Sequence, residues 1–295
     1  MEHIILVNPV SGNHKGRKKG VLIQKLLKKN GIDSIIYTSE YPGHLTEIAK
    51  DLSSKHTCRF YCVGGDGTLN EVITGMIGTD SEIVVIPSGT GNDFIKSISK
   101  YYGMRKIVLE SINRKSSKID VLKVNKDKYC INILNSGFDA MVAKNVDNFR
   151  IFRFLTGKMK YNLAIFYTLL ANRNYKFKIR YGNDKILKGY FTLAVVANGK
   201  YYGGGICPCP DANVEDGFSD LCIVDSTTIT NKILLLSKYK KGEHIGHKKV
   251  NIDKSDKVSI VSTRKFPFSI DGEVLYTNKL YIKVLHEAVN IVVID

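Results

Sequence analysis

Hydrophobic and polar positions follow two rhythms over the first hundred residues. Short apolar runs at His3–Val7, Ile32–Tyr37, Arg59–Val63 and Ile83–Ile86 have the length of strands. Segments with helical spacing separate them: Gly16–Lys29, ended by Asn30-Gly31, then His44–Ser53, Thr68–Met76 and Asn92–Ser99. In the third of these, Leu69, Val72, Ile73 and Met76 fall on one face. Alternation of this kind predicts an α/β N-terminal domain with a parallel sheet and helices on both faces.

From about Lys118 the rhythm changes. Ile119–Asn125, Tyr129–Leu134, Lys176–Tyr181, Tyr190–Asn198, Asp220–Val224, Lys257–Ser262, Pro267–Ile270, Leu280–Val284 and Ala288–Ile294 read as strands. One helical insertion, near 139–172, interrupts them. Many strands with short turns predict an antiparallel sandwich or barrel. The expected boundaries are therefore 1–117 and 118–295, with the final strand free to return to the first domain. A chain of 295 residues is long enough for two cores of this kind.

Three predicted strands of the first domain run into small or glycine-rich polar loops: Asn8–Gly12, Gly64–Gly67 and Pro87–Gly91. Ligands of open α/β sheets bind beyond the carboxyl ends of the strands, where such loops meet. The segment Val63-Gly64-Gly65-Asp66-Gly67-Thr68-Leu69-Asn70-Glu71 says most. Glycine leaves the backbone open, so peptide N–H groups and a helix N-terminus can face phosphate. An aspartate would repel phosphate unless it served the accompanying Mg²⁺, so Asp66 reads as a metal ligand, with a helix cap as the alternative. Asn8-Pro9-Val10-Ser11-Gly12 offers side-chain donors, and Pro87-Ser88-Gly89-Thr90-Gly91-Asn92-Asp93-Phe94 is a second glycine loop before a helix.

What is missing excludes the P-loop NTPases and leaves the protein kinases and dinucleotide-binding dehydrogenases poorly supported. No G-x-x-x-x-G-K-[ST] occurs, no protein-kinase catalytic loop occurs, and neither Gly65-x-Gly67 nor Gly89-x-Gly91 has the third glycine of a dinucleotide fingerprint. In the second half, Pro210–Phe218 packs acids beside a turn glycine, a candidate loop for a hard cation. Ser269-Ile270-Asp271-Gly272-Glu273 puts two carboxylates two apart. In a strand they would share one face, and the other reading is a hairpin turn.

Charge sharpens the picture. Lys+Arg 44 against Asp+Glu 28 gives +16, which points to a polyanionic partner such as nucleic acid, anionic membrane or nucleotide. Residues 15–29 carry seven Lys/Arg and no acid, and residues 144–188 carry eleven against two acids. No basic n-region precedes the first strand, and the longest uncharged apolar stretch, Tyr161 to Asn172, is too short to span a bilayer. The six cysteines lack C-x-x-C pairing and read as reduced core thiols of a cytosolic protein.

Taken together, Asn8–Gly12, Gly64–Glu71, Pro87–Phe94, Ser136–Asp139, Asn198–Gly205, Asp211–Phe218 and Asp271–Glu273 resemble the diacylglycerol kinase-like lipid kinases, the family of the bacterial diacylglycerol kinases and relatives of sphingosine kinase. The resemblance spans nearly the whole chain. It implies a nucleotide-binding α/β domain of NAD kinase/diacylglycerol kinase type, a C-terminal antiparallel β-sandwich, and an active site in the cleft between them. It implies that ATP is held by Asn8, Pro9, Val10, Ser11 and Gly12, by Ser39, by Gly65, Asp66, Gly67, Thr68, Leu69, Asn70 and Glu71, and by Thr90. A structural Mg²⁺ is implied at Asn213, Asp216 and Phe218, of which only Asp216 offers a carboxylate. Glu273 is the implied base with Asp271 beside it, while Asp66, Asp93 and Asp120 match acids that hold catalytic Mg²⁺ and its waters. Cys207-Pro208-Cys209 departs from the usual apolar residues there.

The expectation is a cytoplasmic, peripherally membrane-associated kinase that transfers the γ-phosphate of ATP to a lipid hydroxyl, with diacylglycerol as the leading acceptor. Its expected partner on this reading is a lipid at an anionic membrane surface, with a homodimer as an option and no nucleic acid. No apolar anchor is apparent, so attraction of basic faces to anionic lipid would hold it there. Two other readings stay open: a kinase of a soluble substrate such as NAD, and a basic nucleic-acid-binding module that would leave the acids unexplained.

Overall fold

The protein is described from a computed structural model covering residues 1–89, 91–99, 103–151, 156–171 and 173–294. The chain forms two units. The first comprises Met1–Val121, Val214–Gly217 and Leu285–Asp295, and the second comprises Leu122–Asn213 and Phe218–Val284.

In the first unit β1 (Glu2–Val7) is followed by α1 (Ser11–His14), α2 (Gly16–Lys29), β2 (Ser34–Thr38), α3 (His44–Lys55), β3 (Cys58–Gly64), α4 (Asp66–Met76), β4 (Glu82–Pro87), α5 (Asp93–Ile98), α6 (Met104–Ser111) and the start of β5 (Ser117–Val124). β1 lies between β2 and β3, parallel to both, and β3 pairs in parallel with β4. Ile5, Val7, Tyr61, Val63, Val84 and Ile86 point to one side of the sheet, where Ile23 and Leu27 of α2 and Ile107 and Val108 of α6 cover them. The alternate positions Ile4, Leu6, Phe60 and Cys62 are also buried, as a strand covered on both faces requires. Because the strands are parallel, Val7, Thr38, Gly64 and Pro87 all end at the same edge of the sheet.

The second unit contains the rest of β5, then β6 (Lys128–Cys130), β7 (Ile133–Gly137), α7 (Phe138–Asn148), α8 (Gly157–Ala171), β8 (Tyr175–Tyr181), β9 (Lys185–Ala197), β10 (Ser219–Asp225), α9 (Ile229–Lys241), β11 (Val250–Ser255), β12 (Lys257–Ile270) and most of β13 (Glu273–Val292). Its strand pairs are antiparallel. β9 pairs with β8 through its first half and with β7 and β10 through its second. β12 does the same, pairing with β8 over Val258–Val261 and with β7 over Phe268–Ile270. Two long strands thus pass from one layer to the other, and Phe177, Ile179, Ala194, Val196, Ile260 and Phe268 fill the space enclosed. On the outer side of β7, β9 and β10, residues Ile133, Leu193, Val195 and Cys222 meet α7, α8 and α9 in a second apolar cluster.

Three helices are absent from the sequence reading: α1, of four residues, lies where a loop was expected, and the others are α6 and α9. α6 has only eight residues, and α9 carries Ile233, Leu234, Leu235 and Leu236 in succession, which hides a 3.6-residue period. Thr228 caps α9 by accepting from the backbone N–H of Asn231. β13 is a single strand of 20 residues where two were expected, and Asn290–Val292 at its end pair in parallel with β4 inside the first unit.

Candidate active site

The loops at the carboxyl edge of the first unit are tied into one another. Asn8 donates through Nδ2 to Thr68 Oγ1 at 3.0 Å and accepts at Oδ1 from the N–H of Val10. Its carbonyl accepts from the N–H and the hydroxyl of Ser11. Pro9 lies between these contacts, Val10 is exposed, and the Ser39 N–H at the end of β2 donates to Val7 O at 2.9 Å. Gly12 has φ +58°, and a Cβ there would lie 2.7 Å from Ser88 O. Gly65 and Gly89 meet back to back, so a Cβ on Gly89 would lie 2.6 Å from Gly65 Cα. Only residues without side chains allow the two loops this approach.

Gly67 faces open space. Thr68 and Leu69 are buried; the Leu69 side chain belongs to the core, leaving only its backbone to offer a ligand. Asn70 accepts from Thr74 Oγ1, and the Glu71 carbonyl accepts from Thr46 Oγ1 at 2.9 Å. Thr90 lies outside the described residues.

Asp66 begins α4, yet its carboxylate serves another helix. Oδ2 accepts from the N–H of Asp93 at 3.0 Å and Oδ1 from the N–H of Phe94 at 3.1 Å, so Asp66 holds the start of α5. Burial pushes its carboxyl above the ordinary range, against the pull of these two N–H groups. Asp93 binds Lys96 at 2.6 Å. A Cβ on Gly91 would sit 3.3 Å from Asp93 Oδ2 and 3.4 Å from Asp66 Oδ2, so two carboxylate oxygens border one point. A hard cation bordering both oxygens would offset their repulsion, and the donor set fits Mg²⁺. Ser88 Oγ is buried with no hydrogen-bond partner, a donor left over where the loops of Gly12 and Gly89 cross. Lys19, from the acid-free helix, donates to Pro87 O at 3.2 Å, and burial with Lys15 nearby pulls its ammonium below the usual range. Nothing in the sequence distinguished Lys19 from its basic neighbours, and Ser88 was visible only as part of its loop.

On the second unit, Asp271 and Glu273 do not share a strand face. Asp271 and Gly272 form the two-residue turn between β12 and β13, with Ile270 opposite Glu273 and φ +46° and +97° at the turn residues. Positive φ at both positions is what a type I′ hairpin demands, and Asp-Gly supplies it. This corrects the shared-face reading. Asp271 turns inward and accepts from the N–H groups of Ile131, Asn132 and Ile133 at 2.9 to 3.1 Å and from the Cys130 thiol at 3.3 Å. Glu273, the first residue of β13, is exposed.

Asp120 is fully buried in the first unit. It accepts from the N–H of Gly217 at 2.7 Å, and from His286 Nδ1 and the N–H of Glu287 at 2.8 Å each. Its carboxylate therefore ties Val214–Gly217, which contains Asp216, to the segment after Leu285. Asn213 and Phe218 belong to the second unit. Among the described residues no three His, Cys, Asp or Glu side chains cluster as a metal site. A cation at this loop would have to rest on Asp216 and backbone carbonyls. Asp139, which has no role in the sequence reading beyond its place in the Ser136–Asp139 motif, is buried at the start of α7 and accepts from Tyr202 Oη at 2.5 Å and Tyr239 Oη at 2.8 Å.

The Diacylglycerol kinase catalytic domain family matches residues 2–124, and the YegS C-terminal NAD kinase beta sandwich-like domain family matches residues 132–293. The chain belongs to the diacylglycerol kinase-like lipid kinases. The diacylglycerol kinase of Staphylococcus carnosus is 28% identical, over 91% of this chain and 87% of that protein. That of Bacillus subtilis is 27% identical, over 91% and 88%. The fold is similar to the crystal structure of a diacylglycerol kinase from Bacillus anthracis, with a TM-score of 0.72, 21% identity and coverage of 99% of this chain and 96% of that one. As a member of this family the chain is an ATP-dependent lipid kinase. No helix among the described residues is long and apolar enough to cross a membrane.

Proposed function

We propose that this lipid kinase transfers the γ-phosphate of ATP to the hydroxyl of diacylglycerol, giving phosphatidic acid and ADP. The observation that carries the proposal is the meeting of the Gly12, Gly65 and Gly89 loops around the Asp66 and Asp93 carboxylates, at the carboxyl edge of a sheet. Phosphoryl transfer needs positioning and charge neutralisation more than covalent help. Backbone N–H groups of the Gly65–Thr68 turn, with the Ser88 hydroxyl and the Asn8 segment, would orient the phosphates. Asp66 would hold Mg²⁺, with Asp93 beside it; when bound, that ion neutralises charge developing on the phosphates. Glu273, exposed at the head of β13, would accept the proton of the lipid hydroxyl as its oxygen bonds to phosphorus and ADP leaves. Asp271 would act as a positioning residue for that hairpin. A second Mg²⁺ at Asp216, with the carbonyls of Asn213 and Phe218, would be structural.

The test is a transfer assay with labelled ATP against diacylglycerol in mixed micelles and against NAD. Labelled phosphatidic acid is expected, with turnover at least ~100-fold lower in Asp66→Asn and in Glu273→Gln. Labelling of NAD alone, or near-normal turnover in both variants, would overturn the assignment.

A further inference from the structure

The face of the second unit built by α8 and α9 carries an apolar surface that the sequence reading missed. On α8, Met159, Leu163, Phe166, Tyr167 and Leu170 are all exposed, Phe166 to 59% and Leu170 to 61%. Their spacing of four, three, one and three residues keeps them on one side of the helix. Ala164, Ile165 and Leu169, on its other side, are buried in the cluster shared with β7, β9 and β10. On the neighbouring helix, Ile233 and Leu234 add to the exposed surface, at 53% and 69%. Scattered apolar side chains are ordinary on a protein surface; seven large ones on two adjacent helices are not.

Charge around this surface says what covers it. Residues 148–183, which include α8, contain eight Lys/Arg and no Asp or Glu, and residues 226–242, which include α9, contain four and none. Lys160, Arg173, Lys238 and Lys241 thus flank an apolar centre with no acid on either helix. A second copy seated face to face would bring two cationic rims together, since a two-fold interface repeats the same patch on both partners. An anionic bilayer complements both parts, taking the apolar side chains at the acyl boundary and the cations among headgroups.

The unit has a second basic surface on its opposite side. Lys176, Lys178 and Arg180 of β8 alternate with buried Phe177, Ile179 and Tyr181 and so point away from the core, beside Lys257 of β12 and Lys283 of β13. This sheet face carries three large exposed side chains in register with its cations, Ile186, Tyr190 and Tyr281, against seven on the helical face. The two surfaces cannot rest on one flat membrane together.

We infer that the protein docks on the anionic leaflet through the apolar α8–α9 face, and that the basic sheet face is not the membrane contact. The inference gives the lipid kinase reading its place of work and rests on it for biological sense, but its test is independent of turnover. Full-length protein is sedimented without ATP or diacylglycerol, with phosphatidylcholine vesicles with and without phosphatidylglycerol. Wild type is compared with Phe166→Gln/Leu170→Gln and with Lys178→Gln/Arg180→Gln, each checked for native circular dichroism. Gln preserves helix propensity and net charge at the first pair. The α8 variant should lose about tenfold or more of its partitioning to anionic vesicles, and the β8 variant should stay within about threefold of wild type. Partitioning of the α8 variant equal to wild type, or loss confined to the β8 variant, overturns the inference. So does a wild-type dimer that the α8 pair dissociates while vesicle binding persists. If the vesicle result holds but phosphatidic acid never forms in mixed micelles, the proposed acceptor is wrong and the docking face stands.

Discussion

Gly65 and Gly89 press backbone to backbone, leaving no room for a methyl group on Gly89 short of 2.6 Å from the Gly65 Cα. Gly89→Ala should therefore push the two loops apart. Overpacking of this kind costs about 1–3 kcal/mol. If these loops hold phosphate, ATP affinity should fall about tenfold or more. Isothermal titration with a non-hydrolysable ATP analogue, alongside thermal unfolding, checks both; unchanged affinity with lowered stability would remove the loops from nucleotide binding.

Asp271 and Glu273 should separate stability from turnover. Asp271→Asn keeps the left-handed turn accessible but replaces an acceptor-only carboxylate facing three N–H groups with an amide that carries donors of its own. A loss of about 2–4 kcal/mol in denaturant unfolding is expected. Glu273→Gln, at an exposed position, should move stability by no more than about 0.5 kcal/mol while turnover collapses. Equal stability losses in the two variants would contradict the geometry of the hairpin.

Asp139 predicts a pH dependence. Burial raises its carboxyl, and the Tyr202 and Tyr239 hydroxyls only partly oppose this. A carboxyl that is harder to ionise in the folded than in the unfolded protein binds more protons when folded, so its contribution to stability falls as pH rises. The loss begins at the ordinary carboxylate range and is complete above the raised folded value. Asp139→Asn should lack this fall, so the wild-type-minus-variant difference in unfolding free energy should decline as pH rises above the ordinary carboxylate range. A difference that is flat or rises with pH would mean the tyrosines dominate.

Asp216 provides a test that involves no nucleotide. If its loop takes Mg²⁺, saturating metal should raise the melting temperature of wild type by about 5 °C and leave Asp216→Ala unmoved. Equal shifts in both proteins, measured by scanning calorimetry, would move the metal elsewhere.

Much of this arrangement is written locally. The βα loops could be found because glycine and small polar residues follow each strand at once, and a parallel sheet collects strand ends at one edge. The Asp-Gly turn at 271–272 is equally local, yet the reading that paired its two acids treated it as strand. What escaped depends on distance along the chain. Asp271 accepts from residues about 140 positions earlier, and Asp120 binds Gly217, His286 and Glu287 from 97 to 167 positions away. Asp66 was open to reading as a cap, but not as the cap of a helix beginning at Asp93. The apolar α8 face escaped because a helix with large side chains on both sides has no clean amphipathic signature.

The strand edge formed by Asn290–Val292 has a consequence for how the protein is made. These residues complete the sheet of the first unit beside β4, with Val292 and Ile294 in its core, yet about 160 residues of the second unit are translated before them. At roughly 5–20 residues per second, the nascent first unit waits on the order of ten seconds or more with the β4 edge unpaired. An open strand edge is a template for pairing with another chain. The interval between emergence of β4 and arrival of Asn290 is thus the period in which a holdase chaperone would matter most, and a ribosome stalled before Asn290 would present an aggregation-prone intermediate.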